Sequence, residues 1–369
     1  MRKRIIKITA LLLAASAAVP LLSGCSGIGD YLEGLISDYI AEFTSDITES
    51  DTAPISSSVP EPQATFPVYE YTPSPDEVFP DAPSREAARI ADPAIAEGYR
   101  AVSAYPDDGS VIIADFDASH RRTAYSTLSD SRKKIYDTVY GSVSVFGDYL
   151  FNEKDEPQGF ITDFLGVYDA LRYDHPDIFM YSSFVSKGWT IKPVYFLPSA
   201  DANSPADNID DVAFAANVYY RTFDRIIDAI PSDISNYGKC VYLCAVISAL
   251  CTYDRTLKSG LDIFPPYGAL IVGTSVCQGY ADSFLLLAQA AGIECDRTWG
   301  TVRGESHVWN RVQTSEGELY IDATWTDNLV EDKNSPVLFS SRYFLMTRED
   351  LEFYGYENVT NTPDFIRVY

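Results

Sequence analysis

Basic residues are scarce in this chain of 369 residues, in which 28 lysines and arginines stand against 53 aspartates and glutamates. The formal net charge is therefore −25. A nucleic-acid-binding protein needs a basic surface that neutralises phosphates. The charge balance excludes nucleic acid as the expected partner, and it is typical of a solvated acidic surface that keeps a protein soluble.

Histidine is scarcer still, with three residues in the whole chain. Histidine is the commonest general base where a cysteine or serine acts as nucleophile. We expect His120 to be exposed and His175, in the segment Tyr-Asp-His-Pro-Asp, to lie in a turn. His307 is therefore the candidate for a base.

Apolar runs long enough to span a bilayer, which takes about 20 residues, are also missing. The first apolar stretch, Ile8–Leu22, follows a basic start that includes Arg2 and Lys7, which is the layout of a secretory signal peptide over residues 1–25. It ends in Leu-Ser-Gly-Cys25, which resembles a bacterial lipobox. The resemblance implies that Cys25 is lipidated and anchors the protein to the membrane, facing outside the cytoplasm. An ordinary signal peptide and a single membrane helix are the alternatives.

The next segment, residues 26–85, is rich in proline, serine, threonine and acidic residues, and its only basic residue is Arg85. Such a composition buries too little apolar surface to offset the entropy of ordering. We therefore predict a disordered linker there. After it we predict a mixed, mainly helical module over residues 86–230 and a second domain over residues 231–369.

Apolar spacing predicts the elements of the first module. Helical spacing predicts helices over Tyr125–Val145, Phe164–Leu171 and Val212–Ile230. Ser129 or Ser131 is the expected N-cap of the first of these helices. Apolar and aromatic runs predict strands over Ile178–Val185 and Thr190–Phe196. None of these elements carries a recognisable chemical motif, so the role of this module stays open.

A second apolar stretch, Tyr237–Tyr253, is apolar on every side and predicts a central, buried helix. It carries Cys240, Cys244 and Cys251, and three thiols on one face could hold a metal ion. No further ligand lies nearby at a suitable spacing. We therefore expect these thiols, and Cys295 on a following strand, to be small core side chains, without a bound metal.

Cys277 differs from the other cysteines in its position. The segment from Gly273 to Gly292 predicts a loop that enters a helix at Cys277 and ends at Gly292. Amides and the dipole at a helix start stabilise a thiolate, as in sites where the thiol pKa falls to about 3.5–7.5. Cys277 therefore has the position of a nucleophile.

His307 lies in an alternating segment that predicts a strand, and a Ser-Glu-Gly turn leads to a second predicted strand, Leu319–Trp325. A hairpin of these strands brings Asp322 beside His307, where a carboxylate fixes the imidazole tautomer and stabilises the imidazolium. The other interpretation is that Asp322 caps the end of the strand. Asp327 is then the alternative carboxylate that would orient His307.

Four segments together resemble the transglutaminase-like superfamily in residue type, order and spacing: Val-Cys277-Gln-Gly-Tyr-Ala, Gly292-Ile-Glu-Cys, Ser-His307-Val-Trp-Asn and Tyr-Ile-Asp322-Ala-Thr-Trp. The resemblance covers residues 253–327. It implies an α+β, papain-like core, in which a helix carrying Cys277 packs on an antiparallel sheet carrying His307 and Asp322 as a catalytic triad.

The resemblance implies acyl transfer through a cysteine thioester, by a cross-linking transferase or by a protease or amidase. Protein or peptide substrates are expected, including cell-wall peptide, and no metal or organic cofactor is required. Gln278, Tyr267 and Trp309 are candidates for oxyanion or substrate contacts, with packing around the hairpin as the alternative for Trp309 and for Trp325. The alternative is a non-catalytic cell-surface binding or scaffold module on the same fold. The oligomeric state stays open.

Overall fold

The computed structural model describes residues 93–105, 107–116, 123–144, 147, 151–152, 160–178, 181–187, 190–195, 209–255, 265–327 and 340–361. The predicted signal peptide, Cys25, the predicted linker 26–85 and His120 lie outside these residues. Their predictions stay as they are. Within the described ranges, no helix combines the length and the apolar character that crossing a bilayer requires.

The helices of the described residues follow one another along the chain with sheets between them. They are α1 (Pro93–Ala104), α2 (Thr123–Thr127), α3 (Asp130–Val143), α4 (Phe160–Asp174), α5 (Ile209–Asp228), α6 (Asn236–Leu250), α7 (Cys277–Ala290), α8 (Ala323–Thr326) and α9 (Arg348–Tyr354). A π-helical turn at Gly268–Val272 and a 3-10 turn at Ser341–Tyr343 complete the set.

The strands form three sheets. They are β1 (Phe151–Asn152), β2 (Tyr181–Lys187), β3 (Thr190–Tyr195), β4 (Thr252–Tyr253), β5 (Thr274–Ser275), β6 (Cys295–Val302), β7 (Glu305–Thr314), β8 (Gly317–Ile321) and β9 (Tyr356–Thr360). The first sheet is antiparallel in the order β1-β3-β2, and β4 pairs in parallel with β5. The third is antiparallel in the order β8-β7-β6-β9.

The segment Tyr125–Val145 contains two helices instead of one, and the N-cap predicted at Ser129 is confirmed for the second of them. Ser129 lies between α2 and α3 in an extended conformation, and its side chain accepts from the amide of Arg132. This N-cap satisfies an amide that would otherwise need a carbonyl of the preceding turn, so the chain begins a new helix instead of continuing the first.

The central helix is confirmed. Every side chain of α6 from Cys240 to Ile247 is fully buried. The helix ends at Leu250 rather than at Tyr253, because Thr252 and Tyr253 pair with β5. This pairing holds the end of α6 beside the segment that leads into α7.

The hydrophobic core crosses the predicted domain boundary near residue 230. One cluster of buried side chains runs from Ile95 in α1 to Phe344 and includes residues of α3, α4, α5 and α6. α1 packs so closely on α6 that a Cβ added at Gly98 would lie 2.7 Å from the Tyr242 ring. The two parts therefore share packing, and the division into domains stays a prediction.

The four-stranded sheet carries the predicted site. In the register of β6 and β7, His307 lies opposite Gly300. The second predicted strand, Leu319–Trp325, is too long, since β8 ends at Ile321. Asp322 then caps α8, because its side chain accepts the first amides of that helix in place of a strand partner.

Candidate active site

Cys277 is the first residue of α7, which confirms its predicted position. Val276 precedes it in an extended conformation, with φ −106° and ψ 179°, and the first turn of the helix contains no acidic residue. The Cys277 side chain is fully buried. It packs with Ala281 of α7 and Val308 of β7, and the rings of Tyr253 and Trp299 lie against this group. The sulfur thus belongs to the interface between α7 and the sheet.

His307 lies beside Val308 on β7, and the structure brings it together with Asp322. The Nε2 atom of His307 is 2.7 Å from Oδ2 of Asp322. The histidine is 7% exposed and the aspartate is fully buried. A short contact shielded from water keeps the ring in one orientation far better than an exposed pair would.

The carboxylate of Asp322 has partners on both oxygens. Oδ1 accepts from the backbone amides of Thr324 at 3.1 Å and Trp325 at 3.2 Å. Oδ2 accepts from the hydroxyl of Tyr356 at 2.6 Å, in addition to its contact with His307. Asp322 is therefore both a helix cap and the partner of the histidine, so the two interpretations of the sequence hold together.

Three aromatic rings surround His307. The ring centroids of Trp309, Trp325 and Tyr356 lie 5.9, 6.0 and 6.2 Å from that of the imidazole. Trp309 is fully buried and meets Tyr356 edge to face at 4.9 Å. Trp309, proposed from the sequence as a substrate contact, thus lies in the core of the sheet, and the rings exclude water from the His307–Asp322 contact.

The other two candidates for oxyanion or substrate contacts are engaged within the protein. Tyr267 is buried directly before the π-helical turn, and its ring centroid is 6.5 Å from that of Tyr219. Gln278 follows Cys277 and is half-buried, and its side chain hydrogen-bonds the carboxylate of Asp282 one turn along α7. That bond holds the Gln278 side chain along the helix.

A buried ion pair supports this part of α7. Arg297 Nε lies 2.8 Å from Asp282 Oδ1, with both side chains almost inaccessible, although the N–H does not point along that line. Burial raises the pKa of Asp282, and the Arg297 charge lowers it. Arg297 also donates to the carbonyl of Tyr173 at 2.7 Å, and its guanidinium lies 5.6 Å from the centre of the Trp299 ring. The sequence interpretation did not single out Arg297.

Asp327, the alternative carboxylate, is held by a different residue. Its Oδ2 accepts from the hydroxyl of Tyr280 at 2.8 Å. Burial raises the pKa of Asp327 to about 7, and the hydrogen bond from Tyr280 lowers it. Asp322, rather than Asp327, is therefore the carboxylate found in contact with His307.

The remaining cysteines of the described residues are buried free thiols. Burial raises the pKa of Cys240, Cys244 and Cys295, and it raises that of Cys251 to about 12. Over the same stretches of chain, no group of three or more His, Cys, Asp or Glu residues is arranged to hold a metal ion.

His175 follows α4 in a turn, as predicted, but it is buried rather than exposed to solvent. Its ring stacks on that of Tyr140 with centroids 4.4 Å apart, and its Nδ1 lies 3.8 Å from Asp177 Oδ1. This second histidine serves the packing between α3 and the end of α4.

Comparisons with known proteins add little to this geometry. No protein-family model matches the chain, and no curated protein matches it. A solved structure titled "Crystal structure of a TGase" aligns with 43% of this chain and 48% of its own length, at 14% sequence identity and a TM-score of 0.27. The chain thus spans about half the length of that structure. What the chain does has to be argued from its own residues.

Proposed function

We propose that this protein is a transglutaminase-like cysteine enzyme on a papain-like core, an acyl-transferase or a protease or amidase. Cys277 is the nucleophile, His307 the general acid and base, and Asp322 the orienting carboxylate. The observation that carries the proposal is the buried 2.7 Å contact between His307 Nε2 and Asp322 Oδ2. The strand that carries His307, β7, also carries Val308, on which Cys277 packs.

The proposed reaction begins with a proton exchange between the sulfur and the imidazole. Since Asp322 engages Nε2, Nδ1 is the ring nitrogen that exchanges this proton with Cys277. The start of α7 stabilises the thiolate that results. The thiolate attacks the carbonyl carbon of an amide, and the backbone amide of Cys277 binds the oxyanion. The C–N bond then breaks, His307 gives its proton to the leaving amine, and a thioester remains on Cys277.

The acceptor decides the product of the second step. A lysine amine attacking the thioester gives a cross-link, whereas water gives a hydrolysed amide or peptide bond. In both cases His307 takes the proton of the attacking group, and the thiolate leaves. The substrates we propose are proteins or peptides outside the cytoplasm, including cell-wall peptide, reached from a membrane anchor at Cys25.

One observation favours the second candidate, a non-catalytic binding or scaffold module. Cys277 has no exposed surface in this conformation. A nucleophile needs access for its substrate, so catalysis requires the residues that cover the sulfur to move. Tyr253 and Trp299, which lie against the Cys277 group, are both only half-buried and are the side chains best placed to do so.

Incubation with a fluorescent primary amine and a glutamine-rich protein separates the candidates. Incorporation of the amine supports cross-linking, and cleavage of peptides without incorporation supports a protease or amidase. Cys277→Ala should abolish either activity, whereas Cys244→Ala, another buried thiol, should retain it. If the wild-type protein neither incorporates amine nor cleaves wall-derived or unstructured peptides, the scaffold function replaces the enzymatic one.

A further inference from the structure

Tyr356 reaches the proposed triad from a distant part of the chain. It is the first residue of β9, and it is 2% exposed. Its hydroxyl donates to Oδ2 of Asp322 at 2.6 Å, and this is the same oxygen that contacts His307 Nε2 at 2.7 Å. Two donors therefore share one carboxylate oxygen in a site closed to water.

The carboxylate has other hydrogen bonds besides this one. Oδ1 is already fixed by the amides of Thr324 and Trp325 at the start of α8. What the hydroxyl of Tyr356 changes is the charge that Oδ2 presents to His307. A hydrogen bond to an ionised oxygen weakens the attraction of that oxygen for its other partners, and this effect is large where water is excluded.

The fold brings β9 into this position by a close approach to β6. Tyr356 pairs with Val302, and Gly355 makes the turn from α9 with φ of +83°. A Cβ at Gly300, opposite His307, would collide with the carbonyl oxygen of Glu357 and lie 2.8 Å from the Trp309 ring. Only a glycine at position 300 lets β9 lie this close to the sheet.

We propose that Tyr356 is a positioning residue that acts through Asp322 and limits how strongly the carboxylate holds the imidazolium of His307. The inference rests on the proposed function, in which His307 must give its proton to the leaving amine. Without the hydrogen bond from Tyr356, the full negative charge of Asp322 would act on His307 in a site that excludes water. This charge would stabilise the imidazolium and slow the transfer of its proton to the leaving amine. With Tyr356 sharing Oδ2, His307 remains a usable acid.

Other charged or titratable groups face Asp322 and Tyr356 from neighbouring elements. Cys244 of α6 interacts with Asp322, and burial keeps that thiol neutral by raising its pKa. Tyr343 of the 3-10 turn and Arg303 between β6 and β7 interact with Tyr356. All three are unchanged in the variants below, so a difference between the variants reports on the carboxylate and its donors.

The rate of Cys277 carbamidomethylation by iodoacetamide, measured against pH, tests the inference without a substrate. Where a thiolate–imidazolium pair exists, the rate constant rises in two steps, and the upper step marks loss of the imidazolium proton. Four proteins are compared as full chains: wild type, Tyr356→Phe, Asp322→Asn and the control Tyr354→Phe. The control removes a hydroxyl from a nearby half-buried tyrosine whose ring lies against Tyr343.

We expect Tyr356→Phe to move the upper step to higher pH by about half a unit or more, since the carboxylate then holds the imidazolium more strongly. Asp322→Asn should move it to lower pH by about one unit or more, because a neutral amide stabilises the imidazolium less. Tyr354→Phe should leave it unchanged. If Tyr356→Phe only displaced the Asp322 carboxylate from His307, the upper step would instead move to lower pH, as in Asp322→Asn.

The inference fails if the upper step of Tyr356→Phe coincides with wild type or moves to lower pH. A wild-type profile with a single step at the pH of an ordinary thiol would instead remove the proposed function together with the inference. As a second measurement, the imidazole resonances of His307 can be titrated by NMR, since the chain has only three histidines. The same upward displacement in Tyr356→Phe is expected there, with unchanged near-UV circular dichroism as the check on folding.

Discussion

The two helices α6 and α7 pack against each other and both carry fully buried thiols, yet only the thiol of α7 lies at a helix start. Cys240 and Cys244 lie inside α6, where each backbone amide donates to a carbonyl one turn back. Burial inside α6 only destabilises the charged thiolate relative to the neutral thiol. Cys277 lies at the start of α7, where amides without an intrahelical partner and the helix dipole favour a negative charge.

This difference teaches that burial by itself does not decide what a cysteine does. Cys244 and Cys277 are equally inaccessible. What distinguishes them is the backbone around the sulfur and the strand that faces it. Cys277 packs on Val308, which is next to His307, whereas Cys244 faces the side of α8 and Asp322 from within a helix. Five measurements would test this distinction between the two helices, and thiol labelling should separate them most strongly.

The largest difference is expected in thiol labelling. In wild type at neutral pH, iodoacetamide should modify Cys277 faster than the α6 thiols by on the order of 100-fold or more, because only the thiolate reacts. Peptide mapping by mass spectrometry measures each site. Cys277→Ala should remove the fast phase, and Cys244→Ala should keep it. Equal rates at the two helices would remove the distinction between them.

The second prediction concerns His307, the proposed base for Cys277. Asp322→Asn should lower kcat for amine incorporation or hydrolysis by about 100- to 10,000-fold, because an amide favours the wrong histidine tautomer. Asp327→Asn is the matched control, since Asp327 accepts from Tyr280 instead of from His307. Comparable losses in the two variants would mean that Asp322 has no special role.

A third prediction tests whether β9 must lie close to the sheet that serves α7. Gly300→Ala should lower the free energy of unfolding by about 2 kcal/mol, because a backbone oxygen of β9 has to move. Gly141→Ala is the control, since a Cβ there meets no atom within 4 Å and alanine favours the helix. Urea denaturation measures both. An unchanged midpoint for Gly300→Ala would contradict the close approach of β9.

The fourth prediction concerns α6 alone. Cys244→Ala should lower the free energy of unfolding by about 1 kcal/mol, because it removes one buried sulfur from a packed core. Chemical denaturation measures the change. The same variant should label at Cys277 as wild type does. A faster or slower Cys277 reaction in Cys244→Ala would indicate that the two thiols are not independent.

The smallest effect is expected from a buried carboxyl of α4. Burial raises the pKa of Asp169 to about 7, and the Arg172 charge lowers it. Since the native state binds this proton more tightly than the unfolded chain, the contribution to stability is present below pH about 4 and is lost as pH rises to about 7. Asp169→Asn should therefore reduce the fall in Tm between pH 5 and pH 8. The exposed Asp211→Asn should keep the wild-type fall.

Local features of the sequence predicted the parts of the site that depend on short stretches. The helix start at Cys277 could be predicted because a loop with Gly273 precedes it and an apolar helix follows. The strand pairing of His307 could be predicted because a short turn joins two alternating segments. The helices of the first part were predicted as segments, and the N-cap at Ser129 was among the residues expected from the sequence, while other helix ends moved by several residues.

Contacts between distant segments could not be predicted in this way. Tyr356 contacts Asp322 across 34 residues, and Arg297 donates to Tyr173 across 124 residues. No sequence motif surrounds either residue. A tyrosine or an arginine on a strand is common, so neither could be singled out from the sequence. Their burial and partners follow from how β9 and α4 pack on the sheet.

The amino-acid sequence by itself determined which side chains could carry chemistry, because a cysteine at a helix start and a histidine on a hairpin strand are set by neighbouring residues. The hairpin in the sequence already predicted Asp322 as the partner of His307, whereas tertiary packing decided which hydroxyl shares that carboxylate. Tyr356 reaches Asp322 through the packing of β9 on β6, and that packing is a property of the whole core.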